Sequence, residues 1–132
     1  MKNWEILFGN LGNALERLGE ALEQPVDDKG MNRDATIQRF EFTIELFWKV
    51  LRKLLLREKI KVSTLKETLR QAYASQWIDE EALWLSMMDD RNNTSHVYHE
   101  EKAIEIYQHI QTYHPIMVRT YEFLKQKFTQ KN

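Results

Sequence analysis

The segment Asp89-Asp90-Arg91-Asn92-Asn93-Thr94-Ser95-His96-Val97-Tyr98 gathers a guanidinium, an imidazole and a phenol between two apolar stretches. A guanidinium beside an imidazole suits phosphate chemistry, because the first stabilises developing negative charge and the second moves protons near neutral pH. With RNA as substrate, His96 could take the 2′-hydroxyl proton while Arg91 holds the phosphate, with no metal required. On one straight helix, however, residues five apart point about 140° away from each other. The pair converges only if the helix breaks between them. The Asn92-Asn93-Thr94-Ser95 run favours such a break, since these side chains compete for the backbone and prefer caps and turns. The plainer alternative is that Arg91 and His96 cap and link a polar helix end. Asp89 and Asp90 read as an acid pair or, more simply, as groups that cap the helix or orient Arg91.

Other candidates carry less chemistry. His96 and His99, with Glu100 adjacent, have metal-ligand spacing but no clear third ligand elsewhere. His109 and His114 read as surface or seam positions on a later helix. Arg52, Lys53, Arg57, Lys59 and Lys61 form a basic cluster, the best approach surface for RNA in the chain, although favourable placement at a helix C-terminus explains it equally well. The chain has no cysteine, which excludes a disulfide framework, a thiolate zinc site and a cysteine nucleophile. Neither a metal nor a cofactor is called for.

The elements that must position the segment follow from apolar spacing. Trp4, Phe8, Leu11, Leu15, Leu18 and Leu22 make one stripe of a first helix, from about Trp4 to Glu23, ended by Pro25 and Asp27-Asp28-Lys29-Gly30. A second helix runs from near Asp34 to about Glu58 on Ile37, Phe40, Ile44, Phe47, Leu51 and Leu54. Phe42, Trp48 and Leu55 add apolar surface off that stripe, so this helix is central to a bundle or meets another subunit. Thr64 and Glu67 form a capping box for a third helix carrying Leu65, Leu69, Tyr73 and Trp77. Asp79 reads as the cap of a fourth, with Ile78 and Leu83 as a hydrophobic staple, and with Leu83, Trp84, Met87 and Met88 along it. The fifth spans about Glu100 to Lys127 on Tyr107, Ile110, Met117, Tyr121, Leu124 and Phe128, with a kink expected at Pro115. The expected architecture is all-α: an antiparallel up-and-down bundle of about five helices in a single domain, residues 1–132.

Bulk properties agree. The 132 residues suffice for a real core, and four Trp, six Phe and five Tyr supply its area, while only four Gly and two Pro leave little for strands and turns. The start lacks an apolar secretory run, and no stretch approaches the roughly twenty apolar residues that span a bilayer, so a soluble, cytoplasmic protein is expected. With 19 basic and 20 acidic residues the net charge is −1, so any attraction to nucleic acid must come from local positive potential.

Arg91, Asn92, three further residues, His96, one residue and Tyr98 resemble the R-x4-H-x-Y signature of HEPN domains. Ile37-Gln38-Arg39-Phe40-Glu41-Phe42-Thr43-Ile44-Glu45-Leu46-Phe47-Trp48-Lys49 is similar to the second helix of the branch called nucleotidyltransferase substrate-binding proteins. Trp84, Met87 and Asp90-Arg91-Asn92 are similar to its fourth helix, so the likeness spans nearly the whole chain. The resemblance implies a bundle of about five helices that dimerises and brings two Arg/His pairs into one cleft. It implies a minimal nucleotidyltransferase partner, usually encoded alongside. In many such pairs the HEPN protein is a metal-independent ribonuclease toxin and the transferase its antitoxin, in some adenylylating the motif tyrosine. Carried across, Arg91 and His96 are catalytic, Asn92 assists, and Tyr98 is the modification target. A nucleotide on Tyr98 blocks RNA by charge and volume; the alternative for Tyr98 is a half-buried aromatic of the last helix. His99 departs from the family pattern, which has a small capping acid or amide there, and this puts the start of the last helix in doubt. A rival reading makes the protein a non-catalytic subunit that presents a substrate to the transferase. A third, a purely structural dimerisation module, expects Arg91 to be consumed by intramolecular salt bridges.

Overall fold

The computed structural model describes residues 2–96 and 98–129, and all of its regular structure is helical. The order is α1 (Asn3–Glu23), α2 (Met31–Arg57), α3 (Leu65–Ala74), α4 (Glu81–Asn92), a one-turn 3-10 helix (Thr94–His96) and α5 (Glu100–Thr129). The fold is an all-α helical bundle. One hydrophobic cluster draws on every α-helix, and α2 lies at its centre, packed against α1, α3, α4 and α5.

The stripe expected for α1 is buried from Trp4 to Leu18, with Leu22 packed at its margin. All six stripe residues of α2 are buried. Its surplus apolar groups divide: Leu55 is fully buried, Trp48 packs against the core, and Phe42 stays 60% exposed. The central position of α2 therefore accounts for most of that surplus, because a helix with neighbours on several sides needs more than one apolar face. The helix also begins three residues earlier than the expected Asp34. Gly30 precedes it at φ 72°, a left-handed conformation that glycine adopts without strain, and its carbonyl accepts the Asp34 N–H at 3.0 Å.

The end of α3 differs from expectation. Helix α3 stops at Ala74, so Trp77 lies beyond it and not along it. The Trp77 N–H bonds back to the Ala72 carbonyl at 2.8 Å and the Gln76 N–H to Tyr73 at 2.9 Å, a Schellman end with Gln76 at φ 64°. Lys59, also at φ 64°, closes α2 in the same way, the Ile60 N–H reaching the Leu55 carbonyl at 2.9 Å. With no glycine at either position, the usual stop signal is absent from the sequence. At the other end of α3, half of the expected capping box forms: the Thr64 hydroxyl accepts the Glu67 N–H at 3.1 Å, with no return bond to the Glu67 side chain among the described residues.

The expected Asp79 cap of α4 is corrected. The capping position falls on Glu80, without a side-chain cap bond, and both Asp79 and Glu80 bind Arg119 of α5 at 3.0 and 2.9 Å. An exposed cation on a neighbouring helix outcompetes the local backbone for these carboxylates. Helix α5 runs without interruption through Pro115. It starts at Glu100 despite the unusual His99, because the His99 carbonyl, not its side chain, accepts the first helical N–H, from Ala103 at 3.0 Å. Where α1 and α5 meet, Gly19 leaves room for His114: a Cβ there would lie 3.0 Å from the imidazole Cε1.

Candidate functional site

Helix α4 breaks where the Asn92-Asn93-Thr94-Ser95 run sits. It ends at Asn92, Asn93 turns the chain with its N–H on the Asp89 and Asp90 carbonyls, and Thr94–His96 form the 3-10 turn. The Thr94 hydroxyl has two partners, the Arg91 carbonyl at 2.8 Å and the Glu41 carboxylate of α2. The break is thus pinned to the central helix and is not a loose loop.

Arg91 occupies the last turn of α4 and reaches α2, where its guanidinium pairs with Glu45. It also donates to the Asn92 side-chain oxygen at 3.1 Å. Both partners of the Arg91–Glu45 pair keep 29% of their side-chain surface exposed, so the pair sits at a rim open to solvent. His96 is exposed. Its ring lies edge-on to Tyr98, with centroids 6.2 Å apart, and Tyr98 in turn leans over His99 at 4.3 Å. Tyr98 is 74% exposed, which disposes of the half-buried alternative. Val97 lies outside the described residues.

Asp90 does something the sequence reading missed. It does not orient Arg91: it turns the other way, is 8% exposed, and its Oδ2 accepts the Tyr113 hydroxyl at 2.6 Å. His109 Nδ1 lies 2.9 Å from the same oxygen, donating to it in the tautomer that carries the proton there. Burial, and then the Asp90 carboxylate, push the Tyr113 phenol far above its ordinary pKa of 10.0, so it remains a donor at any ordinary pH. His109 and His114 are seam residues, the latter 3.0 Å from the Leu15 carbonyl through Nε2. A signal for Asp90 existed: it continues the three-residue steps of Trp84 and Met87 on the buried face of α4, where a carboxylate needs partners.

Among the described residues, no three His, Asp or Glu side chains converge to hold a metal ion. The basic cluster at the end of α2 stands apart, since Arg57 lies about 18 Å along the helix from Glu45 and stacks on Trp4 with its guanidinium carbon 4.6 Å from the ring centroid. The site is therefore a cation on a helix end, held by α2, with an exposed imidazole and phenol on the turn that follows.

Residues 7–126 match the family described as nucleotidyltransferase substrate binding protein like. The chain belongs to this family. Within it, the chain is 32% identical over 101 residues to a Haemophilus influenzae protein named "Probable ribonuclease HepT", a match covering 73% of this chain and 66% of the relative, just under two thirds of its length. A Thermus thermophilus crystal structure superposes with a TM-score of 0.81 at 34% identity, covering 87% of this chain and 98% of the other. A Haemophilus influenzae structure, described as revealing the fold of a substrate binding domain of a nucleotidyltransferase, superposes at 0.69 with 27% identity, covering 93% and 97%. The substrate-binding family match takes in the whole turn from Asp89 to Tyr98 and its partners on α2 and α5. No helix among the described residues is long and apolar enough to cross a membrane.

Proposed function

We propose that this protein is a metal-independent endoribonuclease, the toxin of a pair whose antitoxin is a minimal nucleotidyltransferase. It acts in the cytoplasm as a homodimer whose cleft holds two copies of the Arg91/His96 site. The observation that carries the reading is the turn after α4. It leaves the His96 imidazole and the Tyr98 phenol in solvent on the turn that follows a cation already pinned to α2, free to meet a substrate. The name of the Haemophilus influenzae relative points to a ribonuclease, and the description of the family to a nucleotidyltransferase partner. In the proposed reaction His96 removes the 2′-hydroxyl proton and the 2′-oxygen attacks the adjacent phosphorus. Arg91 neutralises the charge gathering on the phosphoryl oxygens, and Asn92 assists. The 5′-oxygen leaves with a proton from water as the 2′,3′-cyclic phosphate forms, His96 then giving its proton back to solvent. Tyr98 is the acceptor of a nucleotide from the antitoxin. Its exposure allows the phenol oxygen, on losing its proton, to attack the α-phosphorus of a nucleoside triphosphate held by the transferase and release pyrophosphate. The added anion beside His96 then excludes RNA.

A second reading has an observation of its own. The net charge of −1 supplies no general attraction to RNA; the pairing of Arg91 with Glu45 is what the third reading, a structural dimerisation module, expects. On the second reading the chain is a non-catalytic subunit that presents a substrate to the transferase. Incubating purified protein and its His96→Ala variant with mixed RNA in EDTA separates the two. Cleavage by the parent that the variant lacks is the expected result; intact RNA with both leaves the substrate-presenting role.

A further inference from the structure

We propose that the groove between α1 and α2 is a binding track for single-stranded RNA that flanks the cleavage point, an inference that rests on the ribonuclease reading and extends it. The groove has a volume of about 410 Å³ and is lined by Asn10, Asn13, Arg17, Gln38, Arg39 and Phe42. A second hollow of about 270 Å³ continues it, sharing Arg17, Ala35 and Arg39.

Its chemistry matches a nucleic-acid strand in each component. Arg17 and Arg39 face each other from neighbouring helices, and neither has a carboxylate within 4 Å among the described residues. Arg33, Arg91 and Arg119, by contrast, are all ion-paired. Two guanidiniums without an ion-pair partner on one groove give local positive potential, which a chain of net charge −1 does not supply overall. This groove also lies nearer Arg91 than the basic cluster at the end of α2 does. The Asn10, Asn13 and Gln38 amides carry both donors and acceptors, which suits base edges splayed out of a helix. Phe42, 60% exposed, offers a face on which a base can stack.

Position supports the assignment as strongly as composition. Phe42 stands three residues from Glu45 on α2, so the groove opens one helical turn from the Arg91–Glu45 pair. From Gln38 to Glu45 the helix rises about 10 Å, a distance that one strand crosses while touching both. The other flank of α1 is the opposite in sign. There Glu16, Glu23 and Glu122 line the groove against α5 and repel a phosphate strand, while Glu20 borders both that groove and the second hollow beside Arg17. RNA that reaches Arg91 is therefore guided along the α2 side of α1.

The test measures binding apart from cleavage. In the His96→Ala background, a short unstructured fluorescein-labelled RNA is titrated by anisotropy at several salt concentrations, with its duplex as control. Adding Arg17→Gln with Arg39→Gln is expected to weaken binding at least about tenfold and to flatten the salt slope by about 1.4, the loss of two phosphate contacts on a single strand. Phe42→Ala is expected to cost about fivefold or more at unchanged salt slope. Affinities unmoved by these substitutions, or equal for strand and duplex, overturn the track. So does a halved mass of Phe42→Ala by light scattering, which makes this face a contact between copies. The two proposals fail separately. RNA that binds through the groove but is never cut by the parent sinks the nuclease and spares the track, whereas cutting indifferent to the groove variants does the reverse.

Discussion

Arg91 closes α4 against α2, where Glu45 pairs with its guanidinium, whereas His96 ends a one-turn 3-10 helix with its ring in solvent. Asp90, immediately before Arg91, is anchored to α5 by Tyr113 and His109, and Thr94, just after, ties the turn to Glu41. Restraint therefore falls on the Arg91 half of the motif and thins out by Tyr98. Preorganised charge costs no rearrangement as a reaction proceeds, so a fixed cation is the useful half to hold. The imidazole and phenol are the groups that must meet something brought from outside. Their freedom is what a site completed by RNA, by a second copy or by a transferase requires.

The contrast makes its largest claim about paired alanine variants. His96→Ala should lower RNA cleavage by about 10²- to 10⁴-fold while changing stability by less than about 0.5 kcal/mol. The exposed side chain makes no hydrogen bond or ion pair among the described residues and only an edge contact with Tyr98. Arg91→Ala should lose cleavage and also melt earlier, because Glu45 is left at the α2 surface without its cation. Cleavage assays with thermal melts of both variants decide it. Equal melting points abolish the distinction between a held half and a free half.

Asp90→Ala comes next. Removing this carboxylate leaves the buried Tyr113 hydroxyl and His109 Nδ1 without their acceptor, at a cost of about 2–3 kcal/mol. For a chain of this length that lowers the melting temperature by roughly 6–12 °C. A fall of less than about 2 °C would show that α4 is held to α5 by its apolar contacts alone.

How much of this was legible in sequence follows from where the partners lie. The stripes of α1 and α2 were readable because apolar burial obeys helical spacing, which a sequence carries openly. The break after α4 was readable because Asn-Asn-Thr-Ser names its own local chemistry. Unreadable were Asp79 reaching Arg119 across forty residues, Arg91 meeting Glu45 and Asp90 choosing α5, all decided by tertiary approach. The end of α3 was hidden for a different reason. Gln76 takes a left-handed conformation that glycine normally announces, so Trp77 was read as a continuation of the stripe. The α1/α2 groove escaped because its two arginines are 22 positions apart and meet only when the helices pair.

Tyr113 gives the held half a pH signature. Its phenol is kept protonated in the fold, so its folded pKa exceeds the unfolded value near 10.0. A raised pKa contributes stability that is complete below the unfolded pKa and drains away as pH climbs above it. The protein should therefore lose stability from about pH 10 upward. Tyr113→Phe should begin about 1–2 kcal/mol lower at neutral pH, because Asp90 has lost a donor, yet show a flatter alkaline decline. Denaturant midpoints at neutral and alkaline pH measure both, and parallel declines would exclude Tyr113 as the cause.

The smallest expected effect bears most directly on what Arg91 is for. Glu45→Gln keeps the shape of the Arg91 partner and removes its charge. The pair is open to solvent at a rim, so its loss should cost no more than about 1 kcal/mol. If Glu45 holds the guanidinium in reserve, RNA phosphate competes with it, and the variant should bind and cut RNA up to about fivefold better at low substrate. That factor is the same 1 kcal/mol, at about 1.4 kcal/mol per tenfold, returned to the substrate. A slower enzyme of unchanged stability would make Glu45 a positioning residue, whose carboxylate aims Arg91 instead of occupying it. A variant that melts earlier and cuts no differently would leave Arg91 as a strut between α4 and α2, and the free half of the motif would then have no cation to work with.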